Sequence, residues 1–282
     1  MKARSVFISD VHLGHRGCRA EQLLGFLAEV ETRNIFVIGD LIDFWALRRS
    51  FCWPQAHQDV LRILVERAQN GVRVIYVPGN HDDAAREFIG MSICGIDIRR
   101  RHVHRTADGR RLLLLHGDEF DAEVRCGRLR VRLGAGIYNV ALRLNHMIYC
   151  ASRSLGLNEW SLTAWLKRRV SNARAYINLF EEAAARAATR EGCEGVVCGH
   201  IHHAAMRDIS GVLYCNDGDW VESCSALLES PHGKLTLVRW SEYRACAAAQ
   251  SQPAHVSVGV AHAARISARI ELEPQIGSFS SR

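Results

Sequence analysis

The chain has 282 residues, which is enough to bury a sizeable core and to form one catalytic domain with an elaboration. Hydrophobic residues make up 48% and charged residues 23%, as in a soluble globular protein, and no apolar run approaches the roughly 20 residues that cross a bilayer. The net charge of +6 favours anionic partners but does not choose among phosphate substrates, nucleic acid and an acidic membrane surface.

The ten cysteines do not predict a disulfide framework, because the chain is long and contains no CxxC pair. The N-terminal residues run directly into a strand pattern, without an apolar signal region. Dispersed thiols suit a reducing compartment, so we expect a cytoplasmic protein. Peripheral contact with the cytoplasmic face of the inner membrane stays open.

Short apolar strands alternate with helical segments in the first third of the chain. This order predicts βαβ units and a parallel sheet. The helices predicted between the first three strands comprise residues 21–31 and 58–70. The predicted strands comprise residues 5–9, 34–39, 72–77, 112–115, 195–198, 212–215 and 234–238.

Residues 122–190 interrupt this strand rhythm with a long helical pattern, and we interpret them as a cap inserted into a catalytic domain of residues 1–242. From residue 243 the composition turns to Ala, Ser, Gln and His without a stable period. Such a composition predicts a disordered or only partly helical tail at 243–282.

Metal-capable side chains follow five of the predicted strands. In α/β sheets, ligands bind beyond the carboxyl ends of the strands, so five separated loops are expected to meet at one site. Carboxylate, amide and imidazole donors together suit Mn²⁺, Fe or Zn²⁺. The predicted metal ligands are Asp10, His12, Asp40, Asn80, His116, His200 and His202.

The spacing of these residues supports a shared site. Asp10 and His12 are two residues apart, as are His200 and His202, so an extended strand end would point each pair the same way. Each element alone is weak, since a histidine after a strand is more often structural than a ligand, but the combination predicts metal binding. Glycines that allow sharp turns or close approach stand beside the ligands at Gly39, Gly79, Gly117 and Gly199.

The motifs DVH, GDLID, GNHD, LLLLHGD and GHIH, in this order, resemble the calcineurin-like metallophosphoesterase superfamily over about residues 5–220. The resemblance implies an α/β fold, a β-sandwich flanked by helices in four αββα layers, with a helical cap insertion. It also implies two divalent ions, for which we expect Mn²⁺. It assigns one ion to Asp10, His12, Asp40 and His202, and the other to Asp40, Asn80, His116 and His200, with Asp40 bridging.

Two such ions, roughly 3.5–4 Å apart, lower the pKa of a bridging water toward neutrality, so that hydroxide can attack phosphorus. We assign His81 to contact with the phosphate or to protonation of the leaving group. Asp43 would accept a hydrogen bond from His81 and fix its tautomer, a pairing that the superfamily resemblance also suggests. The alternative is that His81 is a turn residue and Asp43 a helix N-cap.

Residues 125–174 carry ten basic residues against one acidic residue, Glu159, which gives the segment a local charge of +9. Apolar residues and two tryptophans, Trp160 and Trp165, are interleaved with these charges. Such a segment suits an anionic membrane surface or an anionic lipid. A cap that packs its apolar face on the sheet and leaves its charges in solvent explains the pattern equally well.

The layout is similar to the UDP-2,3-diacylglucosamine pyrophosphatases of lipid A synthesis, a family with a helical acyl-receiving cap that releases UMP. The segment from Asn216 to Ser223 resembles the Gly-Asp-Trp segment of that family. One departure is that the best-known members have Arg where this chain has His81.

The resemblance implies a nucleotide-linked lipid as the phosphate-containing substrate. One alternative is a general phosphatase or phosphodiesterase for protein phosphate, nucleotides or phospholipid headgroups. Another is a membrane- or nucleic-acid-binding module without turnover, although competent donors fill every metal position. We expect no nucleic-acid partner, and the oligomeric state stays open.

Overall fold

A computed structural model describes residues 1–121 and 171–251 of the chain. Seven strands form the first sheet, in the order β12-β11-β1-β2-β3-β5-β4, and five form the second, in the order β6-β7-β8-β10-β9. The strands of the first sheet are β1 (Ser5–Ile8), β2 (Asn34–Ile38), β3 (Arg73–Val77), β4 (Ser92–Ile93), β5 (Ile96–Ile98), β11 (Ser225–Glu229) and β12 (Leu235–Arg239). Those of the second are β6 (His102–Arg105), β7 (Arg111–Leu114), β8 (Gly195–Cys198), β9 (Ala205–Ile209) and β10 (Val212–Asn216).

Helices connect and cover these strands. Two short 3₁₀ helices comprise Asp83–Phe88 and Asp118–Phe120. None of the helices in the described ranges combines the length and apolar character that crossing a membrane requires. The described α-helices are α1 (Ala20–Glu29), α2 (Phe44–Arg49), α3 (Gln55–Gln69), α4 (Ser171–Arg190) and α5 (Trp240–Ser251).

The two sheets pack face to face between two layers of helix. Alternate residues of each buried strand point to opposite faces, so Phe7 lies between the sheets whereas Val6 packs against α1 and α3. The outer face of the second sheet is covered by α4, whose buried Phe180 and Ala184 join the same core as Val196 of β8. The fold is therefore the predicted four-layer αββα sandwich.

Both sheets are mixed, because antiparallel strands extend a parallel centre. β1, β2 and β3 pair in parallel, as the βαβ pattern predicts, and the unpredicted β5 adds in parallel to β3. β11 pairs antiparallel with β1 and β12. The sequence reading missed β11, whose Ala, Leu and Glu residues lack strand propensity. Pairing with β1, more than 200 residues away, overrides that local preference.

The predicted cap and tail fall largely outside the described residues. Residues 122–170 lie outside them, and the rest of the predicted cap belongs to α4, which packs on the second sheet. The predicted tail begins within α5, and residues 252–282 again lie outside the described ranges. Both sheets lie in one compact unit, Met1–Tyr243, and a second unit, Arg244–Arg282, begins within α5.

A buried carboxylate links the two sheets at the end of β11. Glu229 contacts His104 of β6 at 2.7 Å and accepts hydrogen bonds from Ser5 Oγ at 2.6 Å and from Arg4 at 2.6 Å. Burial opposes ionisation, but the contacts with His104, Ser5, the Ala107 amide and Arg4 outweigh it and lower the pKa of Glu229 to about 2. Glu229 is therefore an ionised link between the layers.

We predict that Glu229→Ala lowers the free energy of unfolding by about 3 kcal/mol, because it leaves buried polar partners without their carboxylate. The contribution is present above the unfolded-state pKa of 4.5 and is lost as the pH falls towards about 2. Urea unfolding of both proteins between pH 7 and pH 3 should show the difference shrinking with acid. Glu242→Ala, at an exposed glutamate of α5, is the control and should change stability by less than about 0.5 kcal/mol; an equal loss in both variants would contradict the role of Glu229.

Candidate metal centre

The predicted donors all lie in loops that directly follow buried strands. Asp10 and His12 follow β1, Asp40 follows β2, and Asn80 follows β3 in the first sheet. The donors after the second sheet are His116, which follows β7, and His200 and His202, which follow β8. The site therefore lies where the carboxyl ends of both sheets meet.

The first group of donors consists of Asp10, His12 and His202, whose ligand atoms lie within 4.8 Å of one another. His202 Nε2 lies 3.2 Å from Asp10 Oδ1 and 3.2 Å from His12 Nε2. The buried Asp10 Oδ1 accepts no hydrogen bond from the described residues. A buried carboxylate oxygen without a hydrogen bond is costly, so this group has the chemistry of a cation site.

The second group consists of Asp10, Asp40 and His116, again within 4.8 Å. His116 Nε2 lies 3.4 Å from Asp40 Oδ2 and 3.2 Å from Asn80 Oδ1. Asp40 Oδ2 is also 3.7 Å from His12 Nε2 in the first group. Asp10 belongs to both groups, and Asp40 of the second group also lies close to His12 of the first.

His200 is oriented differently from the other predicted donors. Its backbone amide donates to Asp10 Oδ2 at 2.9 Å, which ties the β8 loop to the β1 loop. Its ring nitrogen Nε2 lies 2.9 Å from Asp121 Oδ1, and its ring packs edge-on against His116 at 5.2 Å between centroids. The structure places His200 beside the second group with its nitrogen turned towards Asp121.

His81 and Asp43 form a pair at the edge of the first group. His81 Nδ1 lies 3.0 Å from Asp43 Oδ1, within reach of a hydrogen bond for which the ring is not aligned. The other oxygen, Oδ2, lies 3.3 Å from His12 Nδ1. Asp43 also accepts a hydrogen bond from the Ala46 amide and caps α2. The two readings of Asp43, partner of His81 and helix N-cap, are therefore compatible.

The buried charges at the site balance one another. Burial disfavours the ionised form of Asp10, but the adjacent His202 and His12 rings outweigh it and hold the pKa of Asp10 well below its usual value. Burial likewise opposes the charged form of His116, yet Asp40 raises the pKa of His116 to about 10. Asp10 is therefore ionised at neutral pH, and a charged His116 compensates part of the buried negative charge.

Left-handed backbone, rather than extended spacing, brings the donors together. Eight described residues other than glycine have positive φ, and five of them are predicted ligands: Asp10, His12, Asp40, His200 and His202, with φ of 49°, 55°, 52°, 68° and 51°. We expected an extended backbone to point Asp10 and His12, and likewise His200 and His202, in the same direction. This expectation is wrong, because all four residues have left-handed backbone. Strained backbone of this kind clusters at functional sites.

Two glycines are required by close approach to the donors. Gly39 has φ of +83°, and a Cβ there would overlap the His116 ring. A Cβ on Gly79 would lie 2.7 Å from His116 Nε2 and would overlap the Asp40 carboxylate. The loops after β2 and β3 can therefore pass beside the metal-capable groups only without a side chain.

Asp82 organises the two loops that carry Asp40 and Asn80. Its buried carboxylate accepts hydrogen bonds from the Gly79 amide at 2.6 Å and the Leu41 amide at 2.7 Å, and from the Tyr76 hydroxyl.

Trp45 is a further residue at the site that the sequence did not predict. Its indole lies against the His81 ring, with 4.2 Å between ring centroids. Only its place two residues after Asp43 could have indicated it.

Comparison with known proteins gives one family. The model of the calcineurin-like phosphoesterase family matches residues 3–204. A UDP-2,3-diacylglucosamine hydrolase of Edwardsiella ictaluri is 26% identical over 216 residues, which cover 73% of this chain and 78% of that protein. One from Neisseria gonorrhoeae is 24% identical over 242 residues, which cover 79% of this chain and 92% of that protein.

Among solved structures, vacuolar protein sorting 29 of Cryptosporidium parvum aligns with 83% of this chain and 94% of its own, at 13% identity and a TM-score of 0.41. The family model spans most of the chain, including every loop that carries a predicted donor. The chain therefore belongs to the calcineurin-like phosphoesterase family and is a phosphoester hydrolase.

Proposed function

We propose that the chain is a two-metal pyrophosphatase that hydrolyses a UDP-2,3-diacylglucosamine-type substrate and releases UMP. The convergence of carboxylate, amide and imidazole donors from five strand ends carries the hydrolytic part of this proposal. The names of the relatives in Edwardsiella and Neisseria support the substrate.

In the proposed centre, Asp10, His12, Asp40 and His202 hold one divalent ion, and Asp40, Asn80, His116 and His200 hold the other. Mn²⁺ suits this mixture of oxygen and imidazole donors. Two bound ions supply a water of lowered pKa and stabilise negative charge on the phosphoryl oxygens. Binding at the second position requires His200 to turn its nitrogen from Asp121 towards His116.

In the proposed reaction, a water oxygen bonds to phosphorus, the bond from phosphorus to the leaving oxygen breaks, and the proton lost by the attacking water passes to solvent. His81 faces the reacting phosphate and contacts it or gives a proton to the leaving oxygen. Asp43 lies beside Nδ1 of His81 and favours the tautomer with the proton there, which leaves Nε2 for the substrate. Asp43 is ionised for this purpose, because the contacts of His12 and His81 outweigh burial and keep its pKa well below the usual value.

Two features of composition support a lipid-linked anion as the substrate. The chain carries a net charge of +6, and residues 125–174, between the loops of His116 and His200, combine basic with apolar side chains. Such a segment would hold an anionic lipid at the cytoplasmic face of the inner membrane. The presence of His81 where the best-known pyrophosphatases have Arg favours the second candidate, a general phosphatase or phosphodiesterase.

We predict that Asp40→Ala abolishes the shared site. Calorimetric titration of the metal-free protein with Mn²⁺ should show two bound ions in the wild type and at most one in the variant. Turnover of bis(p-nitrophenyl) phosphate should fall by roughly 10²–10³-fold or more, because phosphoryl charge is no longer stabilised.

Asp83→Ala, at the exposed aspartate that begins the first 3₁₀ helix, is the control and should keep both ions and full turnover. Circular dichroism should show the same fold in both variants. Two ions and undiminished turnover in Asp40→Ala would contradict the bridging role.

We predict that the wild type with Mn²⁺ releases UMP from UDP-2,3-diacylglucosamine in preference to other phosphates. Liquid chromatography would quantify UMP and the acylated sugar phosphate against a panel of nucleoside phosphates, a phosphopeptide and phospholipid headgroup esters. Rapid turnover of one of those substrates, without UMP from the lipid-linked nucleotide, would establish the general phosphatase or phosphodiesterase instead.

A further inference from the structure

Trp45 is an exposed aromatic residue at the edge of the candidate metal centre. It lies in the first turn of α2, and 42% of its surface is exposed. Its indole packs against the imidazole of His81, with 4.2 Å between ring centroids and 34° between ring planes. Exposed apolar surface costs hydration free energy, and here a partly exposed indole lies against a polar ring.

The His81 ring has neighbours on three sides. Trp45 covers one face, and His12 approaches edge-on at 4.7 Å between centroids, with 89° between ring planes. Asp43 lies 3.0 Å from Nδ1, but the ring is not aligned to donate to it. Asp43 therefore lies at the Nδ1 edge of the ring without fixing its plane, and the indole against one ring face restricts rotation of that plane.

The backbone around Trp45 is tied to the same loop as His81. The Phe44 amide donates to the His81 carbonyl at 3.1 Å, and Asp43 caps the helix that carries Trp45. The indole, the carboxylate and the imidazole therefore belong to one locally connected unit. A shift of α2 would move the His81 ring with it.

We propose that Trp45 is a positioning residue, which holds the His81 imidazole in the plane that directs Nε2 at the reacting phosphate. The inference rests on the proposed function, in which His81 contacts the phosphate or the leaving oxygen. Trp45 acts through His81, so the loss of its indole lowers kcat, not the affinity for the substrate.

The ring contact is tested without metal or turnover. In the metal-free protein with ¹³C-labelled histidine, NMR should show the His81 ring protons shifted by the indole ring current. Trp45→Ala should abolish that shift and Trp45→Phe should keep part of it. Phe51→Ala is the control, because Phe51 is an aromatic residue just beyond α2 with 80% of its surface exposed. Unchanged His81 resonances in Trp45→Ala would overturn the proposal.

A double-mutant cycle tests the consequence for catalysis, with bis(p-nitrophenyl) phosphate and Mn²⁺. We expect Trp45→Ala to lower kcat roughly tenfold with KM unchanged, and Trp45→Phe to restore most of the loss. In the His81→Ala background, Trp45→Ala should have no further effect, because the two residues act as one unit.

Additive losses in the cycle, or a loss confined to KM, would overturn the positioning role and assign Trp45 to substrate contact or to local stability. Absence of turnover in the wild type would instead contradict the proposed function. In that case the ring-current shift still decides whether Trp45 orients His81.

Discussion

The mutual compensation of buried carboxylates and imidazoles is the interaction on which the centre depends. Asp10 and Asp40 are almost completely buried, and two unscreened negative charges in such an environment would repel one another strongly. The raised pKa values of His12 and His116 favour their charged forms beside these carboxylates, so the negative charge is compensated locally. Divalent cations bound to the same carboxylates would replace that compensation with a stronger one.

This charge arrangement constrains the rest of the fold. Donors on five loops can meet only where the two sheets end together, and the sandwich holds those ends in place through its apolar middle layer. The link from Glu229 to His104 adds a polar contact between the same sheets. The loops must then pass close to the charged groups, which explains Gly39 and Gly79 and the left-handed backbone of five donors. The packed sheets thus hold the loops in a strained backbone conformation that would not persist in isolation.

Much of this arrangement could be predicted from the sequence, because strand ends and metal-capable residues coincide in it. The strands before Asp10, Asp40 and Asn80 are apolar runs with clear ends, and parallel pairing follows from the helices between them. The strand β11 was not predictable from its Ser-Ala-Leu-Leu-Glu sequence, since only distant pairing makes it a strand. The contact of Trp45 with His81 was equally unpredictable, because α2 has only 6 residues, too few to show a helical period.

The late position of β11 in the sequence affects when the first sheet can be completed during synthesis. Asp10 and His12 directly follow β1, and one edge of β1 pairs only with residues 227–229. This pairing joins strands that lie near opposite ends of the sequence of the fold. Such a sheet has a high contact order. During synthesis on the ribosome, β1 and the loop of Asp10 and His12 would emerge long before β11. The predicted donors are complete only after His202, and β1 gains its partner β11 later still, so the site can form only when most of the chain has been synthesised.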